Sequence, residues 1–348
     1  MTATPRKELS QLEITPEVEG LVAGWIHKLR QVGYFIPYQM ALPVAFWWRD
    51  RGGPLILEGP PGGGKTRLAE AIIDCCGLRE HFYRVQCYRS ISRSQTLYDW
   101  DRKLQDIALD AYVQMHDGRA PENPSEVIYD VKNMVPGQLA RVLQDTNPDA
   151  TLLIDEIDKV PSGEGFEAVL LEYLGEHKIT VAEANRQITP ASGFPPHTVI
   201  TSNAGIDNSS LVETLSYPLL RRGLYRIWVP EPDPATRYKI LRTNAIKVNS
   251  TLIVDVVHFI EYISDWKLDK AVALSETINW IRFLEFLAVD ELTPDVVAAT
   301  LGAIAKLTTD TERLADGIRA ILVHIKNKRQ QINVEQCEAD IANFLEAQ

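Results

Sequence analysis

Residues 54–77, PLILEGPPGGGKTRLAEAIIDCCG, decide how this chain is read. PLILE (54–58) is a short apolar run, as expected of a buried parallel strand. LAEAIIDCC (68–76) reads as a helix that stops at Gly77. Between them Gly59, Pro60, Pro61, Gly62, Gly63, Gly64, Lys65 and Thr66 fit the pattern G-x-x-x-x-G-K-[ST]. The chemistry requires those residue types. Glycines let the backbone turn so that successive N–H groups face a phosphate, and the helix that follows adds its positive end. Lys65 then reaches the β- and γ-phosphates, and the Thr66 hydroxyl suits Mg²⁺. Arg67, in the first turn, is counted with the nucleotide contacts. Strand, glycine loop and helix together predict a nucleoside triphosphate site, with ATP and Mg²⁺ as its ligands.

Working outward, HFYRVQCY (81–88), TLLIDEID (151–158) and HTVITSNAG (197–205) read as further strands. Helical stretches lie between them, a short one within 134–150 and another at Phe166–Leu174. Strands alternating with helices predict an α/β fold whose parallel sheet is covered on both faces. Glu17 to Trp48 carries apolar residues at helical spacing, enough for one or two helices. The composition shifts at VPEPDP (229–234), where Asp233 and Pro234 suit an N-cap and a first helical position. Beyond it nearly everything reads helical, with Thr293 and Pro294 a second cap and first-position pair, so a boundary is expected near 230. Residues 1–230 would hold the amino-terminal helices and the nucleotide domain, and 231–348 a smaller all-helical lid.

The strand at 151–155 runs into Asp155 and Glu156. Acids at the end of a buried strand are costly unless they serve a cation or a reaction. Asp155 is the expected Mg²⁺ partner, and Glu156 is placed to polarise a water as general base. That choice points to hydrolysis. Asn203 ends the strand at 198–202, where its amide suits the γ-phosphate and the attacking water. Arg221 and Arg222 precede a predicted strand at Tyr225–Val229 and could offer a guanidinium to a phosphate from outside the sheet.

Composition narrows the alternatives. Thirty-six basic residues against 47 acidic ones leave a formal charge of −11 over 348 residues, which disfavours a broad nucleic-acid-coating surface. No apolar run reaches the ~18 residues a membrane helix needs, and the amino end lacks an apolar signal core. Four cysteines, Cys75 and Cys76 adjacent, offer neither a disulfide framework nor zinc spacing. A cytoplasmic chain with reduced thiols is expected.

These residues resemble a family: the AAA+ ATPases, and within them the MoxR group. GPPGGGKT resembles its Walker A, LLIDEID (152–158) its Walker B, TSNAG (201–205) its sensor 1 and LLRRGLY (219–225) its arginine-finger segment. VQCYRSISRSQTLYDWD (85–101), FEAVLLEYLGEHKITV (166–181) and the stretch 274–302 are similar to the branch associated with carbon-monoxide-dehydrogenase maturation. The likeness runs from about 40 to 325. It implies an αβα parallel-sheet AAA+ nucleotide domain followed by a helical lid, and a homo-oligomeric ring, commonly hexameric. It also implies a partner with a von Willebrand factor A domain and a protein client to be remodelled or matured. Arg222 corresponds to the finger that reaches a neighbour's nucleotide, with Arg221 less favoured, and 176–197 to a hairpin facing the pore.

The chain departs from the family pattern in three places. The sensor 2 arginine is missing from Leu274-Ser275-Glu276-Thr277, which leaves Lys267, Lys270 and Arg282 as candidates. Residues 111–135 look long enough for a docking excursion. The helix expected at 333–348 puts Val334, Cys337, Ile341, Phe344 and Leu345 on one face, for packing on the lid or, alternatively, on a neighbour. A nucleic-acid-linked AAA+ motor and a small-molecule phosphotransferase are the competing classes.

Overall fold

The computed structural model describes residues 14–89, 91, 96–160, 165–203, 221–222, 225–266 and 268–345. Its elements begin with α1 (Pro16–Gln31), α2 (Tyr38–Asp50), β1 (Leu55–Glu58), α3 (Lys65–Cys76) and β2 (Phe82–Gln86). Next come β3 (Tyr98–Trp100), α4 (Arg102–Met115), α5 (Pro124–Ile128), β4 (Met134–Pro136), α6 (Gln138–Gln144) and β5 (Thr151–Asp155). Then follow α7 (Gly165–Glu176), β6 (Ile179–Val181), β7 (Arg186–Ile188), β8 (His197–Ser202) and β9 (Tyr225–Trp228). The remainder is helical: α8 (Pro234–Asn244), α9 (Ser250–Ser264), α10 (Leu274–Phe286), α11 (Pro294–Thr300), α12 (Thr308–Lys328) and α13 (Val334–Leu345). Among the described residues no helix is long and apolar enough to cross a membrane.

The chain divides into two compact units, neither continuous in sequence. One comprises 42–59 and 72–228; the other gathers 1–41, 60–71 and 229–348. The first is built on a five-stranded parallel sheet of order β2-β5-β8-β1-β9. Strands β1, β5 and β8 are buried along their whole length, which is why their sequences are near-continuous apolar runs. Ile56, Leu152, Ile154 and Ile200 meet Leu139, Leu143, Leu170 and Tyr173 from α6 and α7 in one core. Two antiparallel pairs are added to it. β3 with β4 encloses α4 and α5, and β6 with β7 is a hairpin whose Glu183 accepts a hydrogen bond from Tyr98 at 2.7 Å.

The second unit packs around Trp280, Phe259, Tyr238, Leu284 and Ile321. The expected caps are formed: Asp233 accepts from Thr236 N at 3.0 Å and Thr293 from Val296 N at 3.3 Å. α13 lies on α8, with Cys337 and Ile341 buried; Glu338 accepts from Tyr238 at 2.5 Å and Arg242 at 3.0 Å. The carboxyl-terminal helix therefore packs on its own helical unit. The side chains of Phe344 and Leu345 lie outside the described residues.

One ion pair anchors this unit. Asp255 is buried on α9, and its carboxylate is taken by Nε and Nη2 of Arg329, Nε at 2.6 Å. A buried charge stripped of its partner costs about 3 kcal/mol or more. Arg329→Ala is therefore expected to lower unfolding stability by about that amount in urea denaturation. Asp255→Leu combined with Arg329→Met should recover most of the loss, since neither charge is then left buried.

Candidate functional site

The chain leaves β1 at Gly59 and turns through Pro60–Gly64 into α3. Gly62 and Gly64 have φ of +76° and +90°, where an L side chain costs about 1–2 kcal/mol. Space adds a second constraint at Gly62, where a Cβ would stand 2.6 Å from the Cβ of Ala273. At Gly63 it would lie 3.2 Å from the Pro60 carbonyl oxygen and 3.3 Å from that of Val229. The loop can be only bare backbone here. Lys65, 5% exposed, donates from Nζ to the Pro60 carbonyl at 2.7 Å, so its ammonium is held on the loop itself. Thr66 is half-buried in the first turn of α3. Arg67 donates to the Val32 carbonyl at 2.9 Å, joining the loop to the segment after α1.

The neighbour that closes on Gly62, Ala273, is the N-cap of α10, and its N–H donates to Glu276 at 2.9 Å. Of the candidates for the missing role, Lys270 donates to Glu276 at 2.8 Å and Arg282 to Asn244 at 2.7 Å. Lys267 lies outside the described residues.

The acids belong to the sheet unit, and their geometry follows from the parallel register. Asp155 is 2% exposed, and both its oxygens are engaged. Thr201 Oγ1 donates to Oδ1 at 2.5 Å, and Arg84 Nη2 bonds Oδ2 from β2. The same Thr201 oxygen accepts from Glu156 N at 2.8 Å. Glu156 has φ +57° and ψ +51°, a left-handed conformation that costs a non-glycine residue about 1–2 kcal/mol. Its carboxylate takes three donors: Gln86 Nε2 at 2.7 Å, Lys159 Nζ at 2.5 Å and Asn203 Nδ2 at 3.3 Å. The bond to Glu156 is the main reason the Lys159 amine is pushed up. The negative field of this edge is legible at Cys87, whose thiol is pushed up to about 12, first by burial and then by Asp155, Asp158 and Glu156.

Asn203 is fixed a second time, its N–H donating to Asp158 at 2.8 Å. The rest of the predicted sensor 1 stretch, residues 204–205, lies outside the described residues, as do 219–220 and 223–224 of the arginine segment. Arg221 and Arg222 are exposed. The Arg222 guanidinium lies against the end of α7, where a Cβ on Gly175 would come within 3.0 Å of Cζ. Sequence reasoning missed Gln86, Arg84, Lys159 and the bridging role of Thr201. Gln86 could have been found, since the residue opposite Asp155 on a neighbouring parallel strand must end at the same edge.

Two outcomes follow. Gly64→Ala meets only the φ penalty, about 1–2 kcal/mol, whereas Gly62→Ala adds an overpacking cost of about 1–3 kcal/mol; equilibrium unfolding should rank them in that order. Thr201→Val keeps the shape but removes a donor from Asp155 and an acceptor from Glu156 N. It should cost about 2 kcal/mol in the same measurement.

Comparisons with known proteins bear on residues 54–222, which match the family model of the AAA domain, dynein-related subfamily. A solved structure of a mutant RuvB from Thermogota maritima is similar at 15% identity and a TM-score of 0.41, covering 85% of this chain and 71% of that one. No curated protein matches. With the glycine loop after β1, the acids after β5 and a helical carboxyl-terminal region, residues 54–222 are an AAA+ domain of parallel-sheet α/β fold.

Proposed function

We propose that the chain is a Mg²⁺-dependent ATPase of MoxR type, hydrolysing ATP to ADP and phosphate. The observation that carries this reading is the Glu156 carboxylate, held by Gln86, Lys159 and Asn203 at the carboxyl edge of the sheet. Three donors hold it aimed, as a base that must take a proton from water requires. The loop fits a triphosphate because its surroundings exclude side chains at Gly62 and Gly63. Gly59–Gly64 with Lys65, Thr66 and Arg67 would hold the nucleotide, and the Thr66 hydroxyl with Asp155 would hold Mg²⁺. That ion, when bound, supplies positive charge to the phosphate oxygens.

On this reading Lys65 brings the fixed cation, Asp155 orients through its bonds to Thr201 and Arg84, and Glu156 accepts the proton at a carboxylate oxygen. Asn203, bonded to that carboxylate, places the base relative to the substrate. Arg222, exposed at the end of the sheet unit, completes the site of a neighbouring copy in a ring, a hexamer by resemblance. A boundary near residue 230 would set a helical lid, 231–348, behind the nucleotide domain. The motor would work in the cytoplasm on a protein client, with a von Willebrand factor A domain partner. Resemblance in the quoted motifs supports this assignment, as does the AAA-domain match.

Glu156→Gln should bind ATP while its turnover falls by about 10²–10⁴-fold; unchanged turnover would remove Glu156 as the base. Arg222→Ala should retain ATP affinity and lose hydrolysis. Because the two defects sit in different copies of a composite site, mixing the two inactive proteins should restore measurable ATPase activity. Failure of the mixture to recover any activity would place Arg222 in its own copy's site. Affinity capture on the Glu156→Gln protein with ATP should recover a chain with a von Willebrand factor A domain.

A further inference from the structure

The helix that starts at the phosphate loop ends in two adjacent thiols. Cys75 and Cys76 are both half-buried, and their Sγ atoms are 4.0 Å apart. Successive side chains on a helix project about 100° apart, so the sulfurs meet only because both turn toward one another. Cys75 also donates weakly to the Ile72 carbonyl at 3.3 Å. The other two cysteines are different: Cys87 and Cys337 are buried, and burial is the first cause that pushes both of their thiols up.

We propose that Cys75 and Cys76 form a two-thiolate clamp for a soft monovalent cation of the Cu(I) and Ag(I) class. The spacing separates this from the two other uses of a cysteine pair. A disulfide needs sulfurs about 2.05 Å apart and Cα atoms at least about 4.4 Å apart. Consecutive Cα atoms across a trans peptide are only about 3.8 Å apart, so bridging would deform the last turn of α3. A metal bridge is longer. With metal–sulfur bonds on the order of zinc's 2.3 Å, a bridge spans roughly 3.8 Å when bent to 4.6 Å when straight, so the sulfurs need to part by only about 0.6 Å to hold a two-coordinate ion in line. Structural zinc wants four protein ligands. Among the described residues no third His, Cys, Asp or Glu joins to make a metal-holding group. Two thiolates suffice for a soft d¹⁰ monovalent ion, for which sulfur is the preferred ligand.

The pair sits in the last turn of α3, just before Gly77, whose φ is +69°. Binding replaces two S–H bonds by two S–metal bonds and releases two protons, with no change of oxidation state. A site with two ligands on a half-exposed turn can load and unload, as a transfer site requires.

The test is Ag(I) titration of the full chain under argon in chloride-free buffer, read by native mass spectrometry and by protection from iodoacetamide. One Ag(I) is expected per chain, shielding Cys75 and Cys76 together and releasing two protons. Cys75→Ser and Cys76→Ser should each weaken binding by about 100-fold or more, because a lone thiolate loses the chelate advantage. Cys87→Ser and Cys337→Ser should bind as the parent does. Thermal melting identifies any variant that has merely unfolded. Equal Ag(I) uptake by the Cys75→Ser/Cys76→Ser double variant in a folded protein overturns the proposal, as does protection confined to Cys87 or Cys337.

Discussion

One hydroxyl sets the geometry of the acidic edge. A carboxylate at the end of a strand buried on both faces has no water to solvate it, so the protein must supply the donors. Thr201 does this from the neighbouring strand, donating to Asp155 and accepting from the N–H of Glu156. A single oxygen thus fixes both acids, and it can do so because β5 and β8 are parallel and in register to Ile154 and Ile200. Arg84 repeats the arrangement from β2 on the other side. Were either strand to slip by one residue, every side chain would change face and both bonds would be lost.

The glycine loop rests on a different constraint, exclusion rather than attraction. Gly62 is limited by its backbone angle and by Ala273; Gly63 has no unusual angle and is limited by two carbonyl oxygens. A residue at the second position would crowd the loop without straining it, so the two glycines are required for different reasons. Ala273, whose small side chain closes on Gly62, also opens α10. A bulkier residue there would press on the loop.

Much of this was legible in the sequence because short-range rules govern it. The strand-loop-helix at 54–77, the strands at 82–86, 151–155 and 197–202, and the caps at Asp233 and Thr293 each follow from a local pattern. The strands β3 and β4 were not read. Each has three residues, and they pair across about 35 intervening positions, a distance over which no periodicity carries information. The strand at 81–88 was legible, but that Gln86 and Asn203, 70 and 47 residues away, meet at Glu156 depends on the order of strands in the sheet, which no local pattern carries. Lys159 was closer, three residues on, but its partnership depends on the left-handed turn at Glu156, which nothing in an acidic residue announces.

That turn explains why the Glu156 carboxylate is held from both flanks. A left-handed residue directly after β5 breaks the alternation of the strand, so the Glu156 side chain is not placed by the pleat. Gln86 ends the strand on one side of β5, and Asn203 follows the strand on the other. The carboxylate bonded to both is therefore positioned by three strand ends, not by its own backbone alone. Asn203 is in turn anchored through Asp158, only two residues beyond Glu156, so the carboxylate and its donor are tied to one short segment. A displacement of β2 or β8 by about half an ångström would lengthen one of these bonds, and a contact stretched to about 3.6 Å is no longer a hydrogen bond. The bond from Asn203, at 3.3 Å, is already the longest of the three and so the first that such a shift would break.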